Sequence, residues 1–212
     1  MSENKPIKNR ITDMAKITCS MWEMTHRTFM EHNAELMPGI LEDENKLNDM
    51  EKEITSALVL KGKYPVDAKL RESAILFAEM VEDFELIGDY CKDILERVQI
   101  KIEEKLLFSE EAVSEYEVVY KKTLDALDEV TCALERDDFR LVKAVLRKEG
   151  HIDTLVDEYR RKHNERMIKG ECSPLGCNMY LNMLDFTAAV YYHTKKIARN
   201  MLKINESNLP LF

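Results

Sequence analysis

From Phe77 to Val98 the chain sets an apolar residue at every fourth or third position: Phe77, Val81, Phe84, Gly88, Cys91, Leu95 and Val98. Only an α-helix gathers such a series on one face, and a helix with one continuous apolar seam buries it against other helices. Gly88 lies within the seam. A glycine inside a helix costs roughly 1 kcal/mol relative to alanine, so its place here predicts that a neighbouring helix approaches closely. On another side of the same helix, Glu82, Glu85, Asp89, Asp93 and Glu96 recur at steps of 3, 4, 4 and 3. Like charges one turn apart repel by roughly 0.2–0.5 kcal/mol per pair. Such a stripe is either a solvated face or part of a site for a hard cation, with Glu85 and Asp89 supplying oxygen ligands.

The same period extends along the rest of the chain. Thr12 or Asp13 is expected to cap a first helix reaching Glu31, and Pro38 and Gly39 to interrupt the chain before a second through Leu41, Leu47, Met50, Ile54 and Leu58. Gly62 reads as that helix's cap, in a turn at 61–65, and the third helix as running over 67–106. Ser109, followed by Glu110 and Glu111, starts a fourth, with acids where the helix dipole favours them. Asp137 or Asp138 caps a fifth, ending before Gly170, and Pro174 and Gly176 precede a sixth over 178–204.

These six segments are one plan used twice. Laying 182–197 under 79–94 pairs Met80 with Met183, Val81 with Leu184, Glu82 with Asp185, Ile87 with Val190, Lys92 with Lys195 and Ile94 with Ile197, at an offset of 103 residues. In the second helix of each half, Glu44, Leu47, Asn48 and Met50 pair with Glu149, Ile152, Asp153 and Leu155. The expected fold is all-α, two tandem three-helix bundles, with a polar tail over 1–10, repeats over 11–107 and 108–205, and a tail over 206–212.

Composition excludes several functions. With 212 residues, six Gly and five Pro, the chain suits one helical body. A net charge of -9, with Lys and Arg interleaved among acids, argues against binding nucleic acid. No stretch reaches the ~18 uninterrupted apolar residues of a membrane span, and the polar start lacks the apolar core of a secretory signal, so a soluble, cytoplasmic protein is expected. The five cysteines, Cys19, Cys91, Cys132, Cys172 and Cys177, read as reduced thiols. Cys172 and Cys177 have no second Cys or His pair at zinc-finger spacing, which argues against a structural zinc site.

The segment Glu85, Leu86, Ile87, Gly88, Asp89, Tyr90 resembles the Glu-Arg-Ile-Gly-Asp-His motif of the PhoU family, especially the PhoU-like domains that accompany sodium/phosphate cotransporters. Residues 160–184 are similar to that family's link into its last helix, and the likeness spans nearly the whole chain. It implies a non-catalytic regulator of phosphate uptake or signalling that contacts a phosphate transporter or its sensor kinase. Peripheral membrane association through that partner, and pairing into a homodimer, are both compatible with it. The initiating Met favours a free-standing regulator over a cotransporter domain. The resemblance also implies a metal ion, among iron, manganese, magnesium and zinc, held by carboxylates of the second and third helices. Carried over, the first site uses Glu44, Asn48, Glu85 and Asp89, with Asn48 standing where the family has Asp. In the second repeat Glu149 and Asp153 match, but Ala188 and Tyr192 replace the third-helix acids and only His193 keeps the motif's histidine.

Two other functions compete. A carboxylate-bridged di-iron enzyme needs two Glu-xx-His motifs, and only Glu23 with His26 matches. His32, His151, His163 and His193 form no triad motif with Ser or Cys. A plain helical adaptor shares the fold and needs no ion.

Overall fold

Seven α-helices and a short 3₁₀ turn account for the computed structural model, which describes residues 6–62, 67–147 and 151–210. The helices are α1 (Ile7–Glu31), α2 (Met37–Gly62), α3 (Ala68–Glu103), α4 (Glu110–Arg136), α5 (Phe139–Arg147), α6 (His151–Ile168) and α7 (Pro174–Glu206). There is no strand among the described residues. The expected fifth helix is thus two segments, α5 and α6, on either side of residues 148–150, which lie outside the described part, as does much of the turn expected at 61–65.

Local signals explain several of the helix starts. The Asp67 side chain accepts from the Lys69 N–H at the start of α3, Ser109 from Ala112 at the start of α4, and Asp138 from Arg140 at the start of α5. Three expectations need correction. Helix α1 begins at Ile7, ahead of the cap expected at Thr12 or Asp13, because Ile7 and Ile11 extend its buried face and Thr12 instead donates to the Lys8 carbonyl. Pro38 and Gly39 lie in the first turn of α2, where proline's missing N–H costs nothing. Likewise Pro174 opens α7 under a Ser173 cap that accepts from the Gly176 N–H, four residues before the expected start at Asn178.

Helices α1, α2 and α3 pack on one another, and in the second half α4 and α7 pack together with α5 and α6 each against both of them. The predicted seam of α3 is buried throughout, Val81, Phe84 and Cys91 completely. Each apolar pair read from the duplication is buried in both halves: Met80 and Met183, Val81 and Leu184, Ile87 and Val190, Ile94 and Ile197. At Gly88 the predicted close approach is by α2, since a Cβ there would sit 2.8 Å from Leu47 Cδ1.

The halves meet most extensively along α3 and α7, with α1 on α4 beside them. The α3–α7 seam has approximate twofold symmetry. Asp83 of the first repeat meets His193, the counterpart of position 90, while Tyr90 meets Phe186, the counterpart of position 83. Asp83 is fully buried and is held by His193 Nδ1 at 2.8 Å and Lys196 Nζ at 3.0 Å. The stretch after α7 also packs: Leu209 is buried, and Ser73 Oγ donates to the Pro210 carbonyl at 2.5 Å. What reads as a tail is therefore fastened to α3.

Candidate functional site

Glu85 and Asp89 are half-buried where α3 lies against α2, and Glu44 of α2 faces them. The close contact at Gly88 brings the two backbones together between these acids. Glu44 is 4% exposed, and a carboxylate that deep needs partners. Lys92 Nζ donates to its Oε1 at 2.9 Å and Asn48 Nδ2 donates to the same oxygen at 3.1 Å. Asn48, the departure from the expected acid, thus serves as a donor to Glu44.

Negative charge is concentrated here. Burial, followed by the charges of Asp89, Glu51, Glu44 and Glu82, pushes the Glu85 carboxyl above its ordinary range. Burial and Glu44 do the same to Asp89, partly offset by Lys92. Glu51, two turns along α2 from Glu44, adds to this charge and does not stand out in the sequence. Its one signal is spacing, for a residue seven positions after Glu44 returns to the same helix face. It accepts a hydrogen bond from Thr55 Oγ1 at 3.1 Å.

The oxygens of Glu44, Glu85 and Asp89 do not all fall within 4.8 Å of one another. Their donor type nevertheless fits a hard ion: all-oxygen, anionic and partly desolvated. Lys92 places its ammonium on Glu44 within this acid-rich cleft.

The second repeat differs. Glu149 lies outside the described residues, and Asp153 is exposed on α6. Ala188 and Tyr192 occupy the α7 positions, Tyr192 exposed, and Arg160 binds Asp185, the counterpart of Glu82. His193 turns to the α3–α7 seam and Asp83 instead. His26 stacks on Tyr120 with ring centroids 3.6 Å apart, and burial pushes its pKa down to about 4, while Glu23 is exposed. That pair is a core-edge aromatic contact with a surface acid.

The cysteine reading is corrected in part. Cys19, Cys91 and Cys132 are free, but Cys172 and Cys177 form a disulfide across the start of α7. The five-residue separation spans Pro174 and the first turn of α7, which folds the chain back and brings the two side chains together.

No helix among the described residues is long and apolar enough to cross a membrane. No curated protein sequence matches the chain. A family model described as the PhoU domain matches residues 11–98. Among solved structures, PhoU from Pseudomonas aeruginosa superposes with a TM-score of 0.87 at 17% identity, covering 95% of this chain and 96% of that one. The phosphate transport system regulatory protein PhoU from Streptococcus pneumoniae gives 0.82 at 14% identity, covering 97% and 96%. A PhoU-like protein from Shewanella oneidensis gives 0.66 at 11% identity, covering 99% and 100%. Residues 11–98 therefore match the PhoU domain, and the chain has the fold of these PhoU structures over essentially its whole length.

Proposed function

We propose that this protein is a non-catalytic regulator of phosphate uptake or phosphate signalling, acting in the cytoplasm by contact with a phosphate transporter or its sensor kinase. The observation that carries the proposal is the PhoU domain at residues 11–98 within a chain whose fold follows PhoU structures end to end. The test is deletion, with phosphate uptake and phosphate-responsive expression measured at high phosphate. Uptake should rise in the deletion strain, and unchanged uptake together with unchanged expression refutes the role.

The acid cluster of α2 and α3 is proposed to take one hard divalent cation, with Glu44, Glu85 and Asp89 as ligands and Asn48 and Glu51 beside them. A cation relieves the mutual repulsion of these carboxylates, and Lys92 swings out as it enters. Metal content of the dialysed protein, compared with Glu85→Gln and Asp89→Asn, tests this. Equal metal in all three proteins, or none after iron and manganese supplementation, removes the site.

A second reading keeps the fold and dispenses with the ion. It is favoured by Lys92, whose ammonium already compensates Glu44 at 2.9 Å. In that case the cluster is a structural ion pair on an adaptor surface, and the metal measurement separates the two.

A further inference from the structure

Where α6 leads into α7, three side chains meet that the acid cluster does not involve. A ring nitrogen of His163 and the sulfurs of Cys172 and Cys177 lie within 4.8 Å of one another. His163 is 3% exposed and Cys177 1%, while Cys172 is half-buried and open to small reagents. The His163 ring is fixed on two sides. It stacks on Tyr180 at 4.2 Å between centroids, and Arg166 Nη2 donates to its Nδ1 at 3.2 Å. The other ring nitrogen, Nε2, is buried with no hydrogen-bond partner. Buried polar atoms in native proteins nearly always have a partner, and an orphan calls for an explanation. Two sulfurs and an unsatisfied imidazole nitrogen are the donors that select Zn2+ over hard cations.

We infer that reduction of the Cys172–Cys177 disulfide turns this cluster into a binding site for one Zn2+ ion, with both sulfurs and His163 Nε2 as ligands and water in the fourth position. A dithiol reductant donates two electrons and two protons to the Sγ–Sγ bond and becomes a disulfide itself, leaving two thiols. Zn2+ then displaces both thiol protons to solvent. The ring proton passes from Nε2 to Nδ1, and Arg166 gives up its contact there while keeping its two bonds to Glu115, at 3.2 and 2.6 Å.

The movement required is small. Zn–S distances of about 2.3 Å and Zn–N of about 2.0 Å put tetrahedral ligand atoms roughly 3.5–3.8 Å apart. The cysteine Cα atoms are 6.2 Å apart, so the sulfurs separate by side-chain rotation. The disulfide and the metal are mutually exclusive, because the sulfur electron pairs that bind zinc belong to the thiolates. This site lies in the second repeat and does not depend on the phosphate reading or on metal at Glu44.

The test uses the full chain with Co2+ as a spectroscopic stand-in, after reduction by a phosphine that leaves no competing thiol. One equivalent of Co2+ should produce a thiolate-to-cobalt charge-transfer band that Zn2+ abolishes, and the oxidised chain should produce none. Co2+ among carboxylates gives no such band, so failure here and failure of the acid cluster are distinguishable. Cys172→Ser and His163→Gln should each weaken binding by more than about tenfold; Cys172→Ser, at the half-exposed position, serves if His163→Gln does not fold. Absence of the band in the reduced chain, equal binding in both redox states, or full affinity in Cys172→Ser overturns the inference.

Discussion

Replacing Glu85 by Gln should stabilise the metal-free protein, an unusual expectation for a half-buried residue on a well-packed helix. Glu85 has like charges at Asp89 and Glu82 on its own helix and at Glu44 and Glu51 across the cleft. The two same-helix pairs are worth roughly 0.2–0.5 kcal/mol each, and solvent screening keeps the cross-helix pairs small, so the gain is about 0.5–1 kcal/mol. In a chain of this size that is a rise in Tm of roughly 1–4 °C. The pH dependence follows from the raised carboxyl. A group that holds its proton more tightly in the folded state adds stability that is fully present below its unfolded pKa and is lost as pH rises through the folded one. Wild type should therefore lose stability from the ordinary carboxylate range upward, and Glu85→Gln should lose less. Excess Mn2+ should reverse the order, since a ligand at about 100 times its Kd adds about 2.7 kcal/mol to wild type alone. Thermal melts of both proteins at two pH values, with chelator and with metal, measure all of this. A metal-free variant that melts below wild type at neutral pH refutes the charge-repulsion argument.

Gly88→Ala should cost about 0–2 kcal/mol, because overpacking against Leu47 costs roughly 1–3 and the helix-propensity gain returns roughly 1; in a Leu47→Ala background the same change should become neutral or stabilising, as read by urea denaturation. Lys92→Met leaves Glu44 with fewer donors and should lower stability by about 1 kcal/mol, discounted because Lys92 is partly exposed, while tightening divalent binding in a calorimetric titration. Asp83→Ala strands His193 and Lys196 at the seam and should cost roughly 2–4 kcal/mol, visible as a drop in Tm; no change would mean the seam does not need the ion pair. Truncation after Asn208 removes the buried Leu209 and the acceptor of Ser73, for a loss of about 2–4 kcal/mol by chemical denaturation.

The helical fold and its duplication were legible because buried apolar residues must repeat at the helix period, and Phe77 to Val98 do so without a break. The early start of α7 was obscured because Pro174 and Gly176 read as breakers, although proline under a serine cap is itself a start signal. Glu44, Glu85 and Asp89, the set implied by the family resemblance, lie on facing sides of α2 and α3, but their oxygens do not all fall within 4.8 Å of one another. That Lys92 reaches Glu44, and not an acid on its own helix, depends on the distance between α2 and α3, which periodicity does not encode. Asp83 lies between the acidic stripe and the apolar seam, so the spacing of neither announces its burial. The cysteine cluster does not show at zinc-finger spacing, because its third member, His163, lies on the preceding helix and joins only when α6 and α7 stack.

The reciprocal contacts of Asp83 with His193 and Tyr90 with Phe186 have an evolutionary consequence. A chain holding only one such bundle would leave the same strip of its last helix uncovered, and a second identical chain, turned by half a revolution, would cover it. Joining two copies end to end makes that encounter intramolecular, at an effective concentration no free pair reaches. Each copy is then released from having to match itself, so one can keep its carboxylates while the other replaces them with alanine and tyrosine.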